Sequence, residues 1–197
     1  MNDIKFSILT PDHGRESLKR TWESIEKQTY TNWEHILVFD GEEQKAAELP
    51  YYKTTYPKQK RVFTGQNYND FGHTPRKIGW EACSGDYIVY IDTDDYYAPE
   101  ALEEIAKGIK AYDYPAFLFF PCNRLGARFF NHPRTRFITS IQYAHKRIDS
   151  NNNGISFTSG GYNHDNAWLY EMTNKHDFAM HDTEKELVFV DVIGNGK

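Results

Sequence analysis

The sequence predicts an α/β fold, a mostly parallel central sheet flanked by helices, contained in one domain. Three observations carry that reading. Short apolar segments that read as strands alternate with amphipathic stretches that read as helices, which is the pattern of βαβ units. Tyr87-Ile-Val-Tyr-Ile91 is apolar throughout, as a strand covered on both faces must be. The chain has 197 residues, enough for one domain of ordinary size and too few for two comfortable ones.

Taken in order, Lys5 to Thr10 is an apolar strand that ends at the breakers Pro11 and Gly14. Leu18, Trp22 and Ile25 then recur at spacings of four and three, the stripe of an amphipathic helix. Trp33 to Phe39 is a second strand, closed by Asp40-Gly41. Residues 42–60 are polar and contain Pro50 and Pro57, so they read as a surface excursion, with a short strand over Arg61 to Thr64 after it. A helix is expected from about Thr74 to Cys83, capped at its end by Gly85. After the Tyr87 to Ile91 strand, Pro99 stands where a first helical residue belongs, and Leu102, Ile105, Ala106 and Ile109 mark the buried face of that helix. Ala116 to Phe120 is another strand.

From Cys122 the rhythm changes. Phe129-Phe130 and Phe137 to Tyr143 read as strands or hairpin arms, residues 149–154 as a polar loop, Asn163 to Met172 as a helix and Glu186 to Ile193 as a last strand. The shift divides the single domain 1–197 into a nucleotide-type half, 1–115, and a half for a second substrate, 116–197.

Composition narrows the function. Lys and Arg total 23 against 28 Asp and Glu, a net charge of −5, which argues against a dedicated nucleic-acid binder. No apolar run approaches the roughly 20 residues that cross a bilayer, and the first residues lack a basic flank and apolar core, so a cytoplasmic protein is expected. Cys83 and Cys122 are too few for a disulfide framework or a closed zinc site and read as small buried hydrophobes. No GxxxxGK[ST], GxGxxG or G-x-S-x-G pattern occurs, which disfavours an ATPase, a nicotinamide enzyme and an α/β-hydrolase. No histidine pair has metalloprotease spacing, and His13, His73, His132, His145 and His181 read as structural or surface groups.

The strongest chemical signal is the end of the central strand, Ile91-Asp-Thr-Asp-Asp95. Asp92, Asp94 and Asp95 arrive together at a strand's carboxyl end, where ligands bind in open α/β sheets. Carboxylates so close repel one another unless something positive sits between them, and a hard cation such as Mg²⁺ or Mn²⁺ shared with substrate phosphates does this. An acidic turn capping the next helix explains the same residues. Thr10 and Asp40 also fall at carboxyl ends of predicted strands and so line the same sheet edge. Arg76 and Lys77 open a helix, where cations oppose the helix dipole, so either an anionic partner or a solvated surface pair accounts for them. Asp165, in Tyr162-Asn-His-Asp-Asn-Ala-Trp168, is either a helix cap or a general base. Tyr143, Tyr162 and Trp168 fit core packing more simply than sugar stacking.

The whole pattern resembles family 2 glycosyltransferases of the GT-A fold. Phe6-Ser-Ile-Leu-Thr-Pro11, Trp33 to Gly41, Gly79 to Asp95 with its Asp-Thr-Asp motif, and Tyr162 to Leu169 occur in the family's order. The first turn, Pro11-Asp-His-Gly14, lacks the family's usual aromatic and asparagine, and His164 stands where an acidic neighbour of the base is common. The resemblance implies a nucleoside-diphosphate sugar as donor, commonly a UDP-sugar, and a glycan or other hydroxyl-bearing acceptor. It implies that Thr10 and Asp40 contact the nucleoside base, Arg76 the base or diphosphate and Asp92 the ribose. It further implies that Asp94, with Asp92, holds Mn²⁺ or Mg²⁺, and that Asp165 takes the acceptor's proton in an inverting transfer. A metal-dependent nucleotidyltransferase and a non-catalytic sugar- or nucleotide-binding module are the rival expectations.

Overall fold

A computed structural model describes residues 3–134, 140–147 and 164–190, with the side chains of residues 140 and 164–167 excepted. The first half contains β1 (Phe6–Asp12), α1 (Leu18–Glu26), β2 (Trp33–Phe39), α2 (Glu43–Glu48), β3 (Gln59–Phe63), α3 (His73–Ala82), β4 (Tyr87–Tyr90), β5 (Tyr96–Tyr97) and α4 (Ala101–Ala111). The second contains β6 (Phe117–Phe119), β7 (Cys122–Arg124), β8 (Ala127–Phe129), β9 (Tyr143–Lys146), α5 (His164–Lys175), β10 (Phe178–Met180) and β11 (Val188–Val190).

The main sheet has the order β10-β6-β9-β4-β1-β2-β3. Strands β4, β1, β2 and β3 run parallel, whereas β9 is antiparallel to both β4 and β6. A smaller sheet has the order β5-β11-β7-β8. From β1 the chain moves outward to β2 and β3, then returns to place β4 on β1's other side. The strand order therefore reverses between β1 and β4, and a crevice opens at their carboxyl ends.

Alternation along β1 divides the core. Phe6 and Ile8 pack with Trp22 and Ile25 of α1 and with Leu102, Ile105 and Ile109 of α4. Leu9 faces the other way, in a cluster with Trp80 of α3 and with Trp168, Leu169 and Met172 of α5. Both faces of the sheet are thus covered, which is why β4 is fully buried and apolar. Both cysteines are buried and free.

Several expected boundaries differ. β1 does not stop at Pro11 but runs on to Asp12, with Pro11 opposite Val38 and Asp12 opposite Phe39 of β2. The missing N–H is tolerated because pairing with β4 has already ended at Leu9–Tyr90. Gly85 is not a left-handed helix cap. A Cβ there would come within 2.6 Å of the Ser7 nitrogen and 2.7 Å of the Lys5 oxygen, so the close passage of two backbones demands glycine. Pro99 precedes α4 rather than starting it, with Glu100 at the cap position. Residues 42–60 are more than a surface excursion, because Ala46 and Tyr52 pack on Leu18, Leu37 and Phe39. The strand expected over Phe137 to Tyr143 is instead β9, preceded by a 3₁₀ turn at Ser140–Gln142, and residues 137–139 lie outside the described residues. So do the expected loop at 149–154, Tyr162 and residues 191–193 of the expected last strand.

Candidate active site

Parallel strands β1, β2 and β4 deliver Asp12, Asp40 and Asp92 to one edge, at or just past their last residues. The β1 and β2 tips are joined directly, since the Asp40 N–H donates to the Asp12 carbonyl at 2.7 Å. α3 contributes Arg76 from its first turn, on the same side as β1 and β2, which it packs against.

The positive charge expected among the acidic residues is present, and arginines supply it. Arg76 Nη2 lies 2.5 Å from Asp92 Oδ1; the arginine side chain is 4% exposed and the aspartate side chain 36%. Arg15 Nη1 lies 2.5 Å from Asp94 Oδ2. Arg20 Nη2 donates to the Asp94 carbonyl at 2.6 Å, and Thr21 Oγ1 donates to the carbonyls of Thr93 and Asp95. These bonds clasp the 92–95 turn onto α1. Asp95 is buried, unlike the partly exposed Asp92 and Asp94, so only two of the three carboxylates face the crevice. Lys77 is exposed, next to the buried Arg76.

Thr10 does not present its side chain to a ligand. It is 0% exposed, and its hydroxyl pairs with His35 Nε2 at 3.0 Å. Burial holds the His35 imidazole down to about 3, so it is neutral. Asp40 is 8% exposed and accepts from Tyr68 N at 3.0 Å and Asn69 N at 3.1 Å, while the Thr64 hydroxyl, 3.3 Å from Asp40 Oδ1, donates to the Gln66 carbonyl at 2.6 Å.

Sequence reasoning missed Asp12. Its Oδ1 accepts from the N–H of Gly14 at 2.9 Å, an Asx turn, and its Oδ2 accepts from the Tyr52 hydroxyl at 2.7 Å. The left-handed Gly14 completes the turn at φ 94°, and Arg15 follows it. The readable signal was Asp-x-Gly immediately after a strand. Asp165 lies in the first turn of α5, and its side chain is outside the described residues.

Among the described residues, no cluster of three or more His, Cys, Asp and Glu is arranged to hold a metal. Asp92 and Asp94 nevertheless offer hard, partly exposed carboxylate oxygens two positions apart, a donor set that suits a divalent cation completed by phosphate oxygens. A cavity of about 610 Å³ lies elsewhere, between α1 and the smaller sheet, lined by Arg20, Glu23, Lys27, Tyr96, Glu100 and Phe189 among others. It borders the aspartate turn through Arg20 and through Tyr96, which follows Asp95. Among the described residues no helix is long and apolar enough to cross a membrane.

With this geometry in place, comparison with known proteins assigns the chain. The profile of Glycosyl transferase family 2 matches residues 7–170, from β1 to α5. The chain belongs to glycosyltransferase family 2. Among curated relatives, an uncharacterized glycosyltransferase of Haemophilus influenzae is 36% identical over 108 residues, 53% of this chain and 42% of that protein. The amylovoran biosynthesis glycosyltransferase AmsB of Erwinia amylovora is 30% identical over 108 residues, 53% of this chain and 35% of that one. The glycosyltransferase GlyA of Streptococcus pneumoniae is 28% identical over 111 residues, 56% of this chain and 16% of its own. The matches thus span less than half the length of each of these relatives. Among solved structures, TarS of S. aureus in complex with UDP-GlcNAc superposes with a TM-score of 0.76 at 16% identity, over 94% of this chain and 58% of that one. The mannosyltransferase PcManGT of Pyrobaculum calidifontis, in complex with GDP-Man and Mn²⁺, gives 0.73 at 14% identity, over 99% and 59%. The fold of this family 2 chain is GT-A, as its sequence pattern implied.

Proposed function

We propose that this chain transfers a sugar from a nucleoside-diphosphate sugar to an acceptor hydroxyl, with inversion at the anomeric carbon. The observation that carries the reading is the pairing of Arg76 with Asp92, beside Asp94 and Arg15, at the switch point of a GT-A sheet. A crevice that combines two arginines with two partly exposed carboxylates suits a diphosphate and the hydroxyls of a ribose. A UDP-sugar is the favoured donor, because the TarS structure contains UDP-GlcNAc; the GDP-Man of PcManGT makes GDP-sugars the control.

Arg15, half exposed beside Asp94, meets the diphosphate, and the buried Arg76 lies near the base or diphosphate while it holds Asp92 in place. Asp92 meets the ribose, and Asp40 borders the nucleoside from the β2 tip. Thr10, whose buried hydroxyl pairs with His35, makes no direct contact with the nucleoside. Asp94, with Asp92, would hold Mn²⁺ or Mg²⁺, which when bound supplies positive charge to offset the charge accumulating on the departing diphosphate. Asp165 accepts the proton of the acceptor hydroxyl as its oxygen attacks the anomeric carbon from the face opposite the leaving group. Positioned proton transfer of this kind contributes ~10²–10⁴-fold.

The two acidic sites have different expected losses. Asp94→Ala should weaken UDP binding measured with Mn²⁺ and leave metal-free binding little changed. Asp165→Asn should leave UDP binding intact and lower turnover of a UDP-sugar by ~10²–10⁴-fold. Calorimetry with UDP and a product assay with sugar donors separate the two; equal loss of UDP binding in both variants contradicts the division of roles.

A further inference from the structure

The outer edge of the smaller sheet is a hairpin that takes no part in the transfer steps above. Its arms, β7 and β8, are joined by Leu125 and Gly126 alone, and β8 is exposed along its whole length. Leu125 is 75% exposed, more than any other large apolar side chain among the described residues, and Phe129 of β8 is exposed as well. A Cβ on Gly126 would meet nothing within 4 Å, so the turn stands clear of the molecule.

Two features set this turn apart from an ordinary exposed loop. Leu125 at φ 54° and Gly126 at φ 77° are both left-handed, the pattern of a type I′ turn, whose first position favours Asn, Asp or Gly. A leucine there is strained, and nothing in the packing of the fold requires it. The second feature is charge. Between Asp113 and Asp149 the sequence has six Lys and Arg and no Asp or Glu, in a chain of net charge −5. Four of the six, Arg124, Arg128, Arg134 and Arg136, fall in or just after the hairpin. Arg128 is held by Asp182 and by the Thr183 carbonyl. Among the described residues no carboxylate pairs with Arg124, next to the leucine, or with Arg134, which donates to the Thr173 carbonyl at 3.2 Å.

We infer that this turn is a docking point for an anionic bilayer surface, with Leu125 entering the boundary between headgroups and acyl chains and Arg124 and Arg134 meeting lipid phosphates. A projecting apolar side chain flanked by unneutralised arginines matches the two layers of that boundary. A protein partner is a poorer match. A stable interface buries roughly 800 Å² on each side around a fully desolvated core, and a two-residue tip on three-residue arms offers no such face. The hairpin is also suitably placed. The smaller sheet begins at β5, directly after Asp95, and β8 is its opposite edge, three strand spacings or roughly 14 Å away. Docking through β7 and β8 therefore holds the aspartate turn close to the lipid surface without covering it. No residue of the donor crevice is involved, so this docking point stands or falls separately from the nucleotide-sugar reading.

The test is flotation of the full chain with vesicles of phosphatidylcholine, alone or mixed with phosphatidylglycerol. The wild-type chain should bind the mixed vesicles and leave the neutral ones, and added salt should weaken the uptake. Leu125→Asn suits the turn better than leucine does, so Tm should hold while the vesicle partition coefficient falls by about 10-fold. Arg124→Gln should lower uptake by the mixed vesicles by about 5-fold. In Leu125→Trp, brominated acyl chains should quench emission beyond the quenching of the wild-type tryptophans. Absence of wild-type uptake by mixed vesicles, or equal uptake of the wild type and Leu125→Asn, overturns the docking point. A concentration-dependent dimer in sedimentation velocity that Leu125→Asn dissolves also overturns it, because a second copy then covers the turn. Binding of soluble inorganic polyphosphate that needs Arg124, is unaffected by Leu125→Asn and matches the affinity for mixed vesicles assigns the arginines to a polyanion and overturns it too.

Discussion

On one side of β4 the main sheet is built from long parallel strands; on the other it is built from short pieces brought together from distant parts of the chain. β1 and β2 have seven residues each and β3 five, and each is joined to its neighbour through a helical crossover. β9, β6 and β10 have four, three and three, with β9 inserted antiparallel between β4 and β6. The long side holds Asp12, Asp40, Arg76 and Asp92 in a single hydrogen-bonded edge. The short side holds α5, which carries Asp165, and does so through aromatic packing: Trp168 meets Trp80 edge-on with centroids 6.4 Å apart, and packs on Phe117, Tyr143 and His145. On the proposed reading, donor binding would be a property of a strand register, whereas placement of Asp165 would depend on a few large side chains.

That contrast is most sharply tested at Trp168. Trp168→Ala removes a buried side chain, 4% exposed, from the contact between α5 and α3, and should cost ~3–5 kcal/mol of stability. Denaturant titration measures the loss. At a temperature where the variant is still folded, transfer should fall with the misplaced α5 while the Kd for UDP stays near the wild-type value. A parallel loss of UDP affinity would mean that the two sides are not energetically separable.

A smaller effect contrasts a glycine packed against the long side with one in the smaller sheet. Gly85→Ala forces a Cβ into the backbone of β1's first residues, where neither partner can rotate away, and should cost ~1–3 kcal/mol. Gly126, in the turn between β7 and β8, has nothing within 4 Å of a Cβ and only its φ of 77° to protect, so Gly126→Ala should cost about 1 kcal/mol. Thermal unfolding of the two variants ranks them, and a larger loss at Gly126 would invert the comparison.

The same contrast explains what could be read in advance. The apolar segment from Lys5 to Thr10, the Leu18, Trp22, Ile25 stripe and the apolar β4 are local patterns, and the structure has those elements close to the expected places. The edge position of Asp40 and Asp92 follows from that alone. What was not legible depends on distant partners. Gly85 looks like a helix cap until Lys5 and Ser7 are seen beside it, and Tyr52 looks like surface until Leu37 and Phe39 cover it. Three-residue strands such as β6 and β10 have no period to detect. At the site, the acidic cluster was evident but its counterions were not, since Arg15 and Asp94 are 79 positions apart. Asp12 was hidden by Pro11, which looked like the strand's end.

Two buried histidines, one on each side of β4, give the smallest and most selective test. His35 on β2 accepts at Nδ1 from Gln59 and meets Thr10 at Nε2; His145 on β9 meets the Tyr90 hydroxyl at 2.8 Å and the Lys146 carbonyl at 2.8 Å. Both are 0% exposed, and burial lowers their protonation from 6.5 to about 3 for His35 and about 4 for His145. The folded chain keeps them neutral while the unfolded chain protonates them below 6.5, so the unfolded state binds more protons and stability falls as pH falls. Each should contribute a slope of about 1.4 kcal/mol per pH unit, beginning below 6.5 and ending near its own folded value. Unfolding free energies measured from pH 7 to 3 should therefore be flatter in His145→Gln than in the wild type above about 4, and should match the wild-type slope below it. His35→Gln should be flatter down to about 3. Identical pH slopes in both variants and the wild type would mean that these rings are hydrated in solution, and that the β9 insertion is looser than the packing of Tyr90, Tyr143 and Trp168 around it requires.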